Sequence, residues 1–162
     1  MKRLLSLLLL PLLLAACAAQ PPLPARQPML ELPQQLHVQR EQDAQRQDWL
    51  LVVQAENGQL RWSLLDLMGI PQARQLLDGH TWRADGLLPP NPAARELFAA
   101  VLFALTPQTE LARLYPQARQ RGLRRSLGTR WQVDYRQADD FTLSLAQGLR
   151  YHVSPLPNEP AP

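Results

Sequence analysis

The chain has a single cysteine, Cys17, so no intramolecular disulfide can staple its fold. It has a single lysine, Lys2, beside sixteen arginines, a bias that points to base composition rather than to phosphate binding. Its three histidines, His37, His80 and His152, are far apart in sequence and fall in segments with strand character. No His-x-x-x-His, Cys-x-x-Cys or paired-carboxylate spacing marks a metal site, and no phosphate loop or Gly-x-Ser-x-Gly elbow marks a catalytic one. The expectation is therefore no metal, no cofactor and no catalytic residue: the chain does not read as an enzyme. No apolar run reaches the roughly 20 residues that a spanning helix needs.

What is present begins with the N-terminus. Lys2 and Arg3 precede an apolar run from Leu4 to Leu14, broken only by Ser6 and Pro11. A charged start, a short apolar stretch and small residues before a cut site make a secretory signal. The tetrapeptide Leu14-Ala15-Ala16-Cys17 resembles a bacterial lipoprotein lipobox. That resemblance implies a signal peptide over 1–16, removed just before an acylated Cys17. Two or more acyl chains anchor a protein durably, so the expected partner is a membrane held through the N-terminal acyl groups. Ala18 is not Asp, which by resemblance to enterobacterial sorting rules favours the periplasmic face of the outer membrane.

The formal charge of +3 includes Lys2 and Arg3, so the mature chain is near +1 (3 − 2). A near-neutral domain does not call for nucleic acid as a partner. The densest basic stretch, Arg119, Arg121, Arg124 and Arg125, reads either as a solvated loop or as a contact for anionic lipid headgroups. The composition leaves the oligomeric state open.

Prolines at 21, 22, 24, 28 and 33 make residues 17–34 an extended tether of about 3 Å per residue. A second proline-rich stretch, 155–162, reads as a disordered tail. The domain between them, 35–154, opens with alternating strands. Trp49 to Val53 is a continuous apolar run, Asn57-Gly58 a hairpin turn, and Leu60, Trp62 and Leu64 share one face. Ala73 to Leu77 and His80 to Asp85 are two more strands, joined at Asp78-Gly79. Asn91 and Pro92 then start a helix that runs to Leu105 and is apolar round most of its girth. A short second helix covers Gln108 to Tyr115. Strands resume at Arg130–Arg136, Phe141–Leu145 and Leu149–Val153.

A period of two with one wet and one dry face means an antiparallel sheet. The dry face needs a cover, and the apolar helix is the one candidate. The expected fold is mainly β (α+β): a curved antiparallel sheet, or half-barrel, with a two-helix insertion packed in its concave face. Trp62, Trp82, Trp131, Tyr135 and Tyr151, with Leu97 and Val101 from the helix, would line that face. They either fill an ordinary core or bound a pocket for a lipid or acyl chain. The turn Met68-Gly69-Ile70-Pro71 is apolar where a hairpin tip is usually polar. Met68 and Ile70 either fold back onto the core or touch a membrane or a lipidated client.

In order along the chain, Trp49-Leu50-Leu51-Val52-Val53, Leu64-Leu65-Asp66-Leu67-Met68-Gly69-Ile70-Pro71, Asp78-Gly79, Leu105-Thr106-Pro107, Arg125-Ser126-Leu127, Val133-Asp134-Tyr135 and Leu149-Arg150-Tyr151-His152-Val153 resemble the LolA/LolB superfamily. The closest resemblance is to a LolB-like family of uncharacterised proteobacterial outer-membrane lipoproteins, often encoded beside aryl-polyene or fatty-acid-type synthesis genes. The resemblance implies a LolA/LolB-like fold and the binding or relay of a lipid, acyl chain or lipidated client. The rival readings are a structural lipoprotein that docks an envelope protein without lipid, and an enzyme of envelope metabolism. Changing Cys17 to Ser should move the protein from the membrane fraction to the soluble fraction and leave its melting temperature unchanged, measured on both forms by fractionation and circular dichroism.

Overall fold

The computed structural model describes residues 20–156, so the signal peptide, Cys17 and the tail beyond Leu156 lie outside the described residues. The chain is mainly β. Ten strands form one antiparallel sheet in the order β5-β4-β3-β2-β1-β10-β9-β8-β7-β6. They are β1 (Gln34–Gln42), β2 (Gln45–Glu56), β3 (Gln59–Asp66), β4 (Pro71–Asp78), β5 (Thr81–Ala84), β6 (Ala118–Arg121), β7 (Arg124–Leu127), β8 (Trp131–Gln137), β9 (Asp140–Ser144) and β10 (Arg150–Pro155). Two five-stranded meanders thus lie side by side. They join in the middle, where β1 pairs with β10 from Leu36↔Pro155 to Glu41↔Arg150.

Helices α1 (Pro92–Leu105) and α2 (Gln108–Leu114) connect the two outer edges, β5 and β6. Local chemistry starts α1. The Asn91 side chain accepts from the Ala94 N–H at 3.0 Å, and Pro92 at the first helical position has no N–H to leave unpaired. Every residue from Leu97 to Ala104 is buried. A helix covered on all sides requires a sheet that curves round it. Ala99, Ala100 and Ala104 keep its girth small enough to fit.

Two aromatic clusters fix α1 to the two halves of the sheet. Phe98 lies 5.5 Å from Trp62 and 6.0 Å from Trp82, ring centre to ring centre. Phe103 lies 5.6 Å from Trp131 and 4.9 Å from Tyr115. These tilted and edge-on contacts are the geometries aromatic rings prefer. Leu36, Val38, Leu51, Val53, Val133, Leu143 and Val153 complete the floor between the clusters.

Turn chemistry agrees with the sequence in several places. Asn57 and Gly58 both take positive φ, 49° and 78°, and join β2 to β3 in a two-residue turn. Asp43 and Ala44 do the same between β1 and β2, with φ of 51° and 62°. The turn expected at Asp78-Gly79 is Gly79-His80 instead, so His80 sits in a turn and not in a strand.

Two differences are larger. The arginine-rich stretch is a β-hairpin, β6–β7, rather than a loop. Ala118↔Leu127 and Gln120↔Arg125 are register partners and so share one face, which is the inner one, since Leu127 and Arg125 are buried. An arginine at an inward position hides the alternation from a hydropathy reading. The second difference concerns the expected tether. Its described part, 20–33, packs on the domain. The Ala25 N–H donates to the Leu114 carbonyl at 3.0 Å and the Met29 N–H to Glu110 Oε2 at 2.9 Å. Pro24 and Pro28 are buried, and Leu23, Leu30 and Leu32 pack against the core. Prolines lack the N–H that a docked strand would have to pair, so this segment can cover the core without a ladder.

Because Phe98 touches both Trp62 and Trp82 from a fully buried position, Phe98→Ala should cost about 3–5 kcal/mol, read as a lower denaturation midpoint at unchanged slope in urea.

Candidate functional site

The seven side chains expected to line a pocket are brought together, but against one another. Trp62, Trp131, Leu97 and Val101 are fully buried, and Trp82 and Tyr151 nearly so. The space between sheet and α1 is occupied by their side chains. Tyr135 is half-buried and donates from its hydroxyl to the Ala104 carbonyl at 2.7 Å. Burial pushes its pKa up to about 12, with the Arg125 charge acting the other way, so it stays a neutral donor. The indole N–H groups of Trp62 and Trp82 have no hydrogen-bond partner among the described residues. Each such orphan costs about 1–3 kcal/mol in a dry core. The two rings sit 6.0 Å apart in an edge-on contact.

Both ends of α1 are tied down by polar groups. At its start, buried Gln75 on β4 donates to the Asn91 carbonyl and accepts from Arg95 Nε at 3.0 Å. One turn further on, Glu96 accepts from Trp131 Nε1 at 2.7 Å and from Arg130 Nη2 at 2.6 Å. At the other end, the Arg125 guanidinium donates from Nη1 to the carbonyls of Phe103, Ala104 and Thr106, at 2.8, 3.2 and 2.8 Å. These are carbonyls at a helix C-terminus, where no intrahelical donor reaches and where the dipole favours a cation. The sequence places Arg125 in a basic stretch read either as a solvated loop or as a contact for lipid headgroups, and in both cases as facing outward. What pointed inward was the register Gln120↔Arg125, which only the hairpin reveals.

The apolar turn is built differently. Asp66 Oδ1 accepts from the N–H groups of Met68 and Ile70, both at 2.9 Å. The Asp66 carbonyl accepts from Gly69 and its N–H donates to the Ile70 carbonyl, both at 3.0 Å. Gly69 takes φ of 80°, a conformation that side chains avoid. The turn backbone is thus closed on itself, and its side chains face outward. Leu67 is 64% exposed, Met68 86% and Ile70 55%. They do not fold back onto the core. The Asp85 N–H donates to the Arg74 carbonyl, so the chain after β5 runs back along β4 toward Pro71. That places exposed Leu87 at the same end of the sheet as the turn.

The histidines are not as separate as their spacing suggests. His37 and His152 lie on the outer face of adjacent strands. His37 Nε2 is 2.8 Å from Asp48 Oδ1, and His152 Nε2 is 3.2 Å from Glu41 Oε2. The Thr142 hydroxyl lies 3.0 Å from His152 Nδ1. Hydrogen bonding from His152 holds the Glu41 carboxyl below the usual range, and Gln39 does the same for Asp48. Of these groups Glu41 borders a polar depression of about 440 Å³ round the β1–β2 turn. Among the described residues no group of three or more His, Cys, Asp or Glu could hold a metal ion. Among them, too, no helix is long and apolar enough to cross a membrane.

An open antiparallel sheet of ten strands, curved round one buried helix and carrying an exposed apolar turn, defines a class of mainly β domain with a filled concave face. The chain belongs to the family described as Protein of unknown function (DUF3261), whose model matches residues 31–154. No curated protein and no solved structure matches it. The resemblance to an uncharacterised family therefore stands at that level, and nothing in these matches ties the chain to LolB or to the LolA/LolB superfamily.

The Glu96 contacts give a pH signature. Burial acts to raise its carboxyl pKa, but the hydrogen bonds from Arg130 and Trp131 outweigh it and the net shift is downward from 4.5. A depressed folded-state pKa adds stability above the unfolded value that is lost as pH falls through the folded one. The melting temperature should therefore fall as the pH drops below the ordinary carboxyl value of 4.5, and Glu96→Gln should be less stable at neutral pH and show a shallower fall.

Proposed function

We propose that the protein is an acyl-anchored lipoprotein of the outer membrane, facing the periplasm, that binds or relays a lipid, an acyl chain or a lipidated client. The observation that carries this reading is the turn Leu67-Met68-Gly69-Ile70. Its backbone is locked by Asp66, so its apolar side chains are held out in water by design of the turn rather than by chance fraying. Exposed apolar surface of this kind is costly unless something covers it. A lipid surface or an acyl group is the occupant that suits three aliphatic side chains with no charge among them. The orphan indole donors of Trp62 and Trp82 support the second half of the reading. An ester or amide carbonyl is the kind of acceptor such an indole N–H would take. Entry into the concave face requires α1 to move, which means releasing Glu96 from Arg130 and Trp131, or Arg125 from the last carbonyls of the helix.

The filled concave face favours a second reading, a non-catalytic lipoprotein that docks an envelope protein through the same turn and takes no lipid. A single set of variants separates the two. In the chain from Ala18 onward, which lacks both the acylated cysteine and the apolar run Leu4–Leu14, Met68→Glu with Ile70→Glu should abolish co-sedimentation with anionic phospholipid vesicles. The melting temperature should stay within the small range expected of surface changes, about 0.5 kcal/mol in stability. Vesicle binding that survives the double change would remove the turn from lipid contact, and loss of a crosslinked protein partner in the same variant would favour docking.

A further inference from the structure

A second feature lies away from the turn and outside the aromatic clusters. A crevice of about 260 Å³ opens between the α1–α2 corner and the β6–β7 hairpin. Leu105, Pro107, Leu123, Tyr135 and Ala138 give it an apolar side, and Gln108, Gln120 and Gln137 also line it. Arg125 also lines it, although the residue as a whole is only 3% exposed. Taking a guanidinium out of water is expensive, and proteins normally offset it with a carboxylate. Here no carboxylate pairs with Arg125 among the described residues. Nη1 serves the three helix carbonyls, Nε donates to Gln120 Oε1 at 3.1 Å, and the rings of Phe103 and Tyr135 lie 5.7 and 5.2 Å from the guanidinium carbon. These groups account for Nε and Nη1. Nη2 has no acceptor among the described residues. An arginine keeps its charge at any physiological pH, so the crevice ends on a partly compensated cation with donors to spare.

The rim continues the pattern. A wider depression of about 560 Å³ shares Leu123 and Tyr135 with the crevice and adds Arg121 and Arg124, the latter held by Asp134 at 2.6 Å. Leu123 stands exposed between the two spaces. Positive groups at a mouth with low-dielectric walls draw anions inward. From charge, walls and size we infer that this crevice is a binding site for the carboxylate end of a small amphiphile, with the acid on Arg125 and the chain along Leu105, Pro107 and Leu123. The site is independent of the anchor, of the β3–β4 turn and of any movement of α1. It goes beyond the proposed function rather than resting on it, since a chain that never met a membrane could still fill it.

Decanoate is the probe, titrated by calorimetry below its micelle concentration into the full chain with Cys17→Ser. The expected result is saturable binding at one site, at least tenfold tighter than decanol, acetate or inorganic phosphate. Arg125→Gln should weaken it at least tenfold. Because Arg125 also holds the end of α1, that variant is judged by its circular dichroism as well, and Leu123→Glu serves as the second. Leu123 is a solvent-exposed rim residue, so its change should leave the fold intact and still weaken decanoate at least tenfold. Equal binding of decanol would remove the carboxylate from the inference. Equal binding of phosphate would reduce the crevice to a simple anion site and overturn it, as would decanoate binding that Leu123→Glu leaves unchanged.

Discussion

Helix α1 is the element on which the rest of the structure depends. Eight consecutive residues, Leu97 to Ala104, are removed from water. No flat sheet could cover them, so the ten strands must curve, and the crossover from β5 to β6 must run through the concave face instead of over the outside. The helix has no acidic residue in its first turn and no basic one in its last to steady its dipole. Side chains from the sheet take that part: Gln75 and Arg130 act near the start, through Asn91 and Glu96, and Arg125 acts at the end. The buried arginine is therefore a consequence of the buried helix. A C-terminus sealed inside a protein leaves carbonyls that only a long, multiply donating side chain can reach.

The same constraint sorts the surface. With the concave side occupied, the apolar groups that remain exposed are those at sheet ends and corners. Leu67, Met68, Ile70 and Leu87 sit at one end of the β1–β5 meander, and Leu123 at the tip of β6–β7. The outer face is polar and paired, with His37, Asp48, Gln39, Glu41 and His152 linked across three strands. Half-buried Leu50, Val52, Leu65 and Leu76 lie among these polar groups on the same outer face. Among the described residues Met29, on the segment before β1, is the other large apolar side chain left in water.

Much of the fold was legible in the sequence because it rests on local rules. The period of two in Leu60, Trp62, Leu64 and in Trp131, Val133 gave faces that the register confirms. Asn57-Gly58 and Asn91-Pro92 fixed a turn and a helix start through backbone preferences that act within a few residues. Two elements were hidden for a common reason. In β6–β7 an inward arginine broke the hydropathy pattern, and in 20–33 the prolines suggested a free tether although their neighbours Leu23, Leu30 and Leu32 could be buried. In each case the compensating partner, the carbonyls of α1 or the surface of α2, lies about 20 or more residues away, so no window along the chain contains it.

The sequence by itself determined the two helices, the strands other than β6 and β7, and which of their faces are apolar, since each follows from spacing and from the backbone preferences of single residues. It also marked Met68 and Ile70 as out of place in a turn. Whether those side chains fold inward was decided only in three dimensions, by the Asp66 carboxylate closing the turn beneath them. Whether the aromatic face is a pocket or a core was decided by the width of α1, whose alanines let the helix sit deep enough for Phe98 and Phe103 to fill the space. The environment of Arg125 belongs wholly to the tertiary structure, because a charge can be buried only where distant carbonyls and rings converge to meet it.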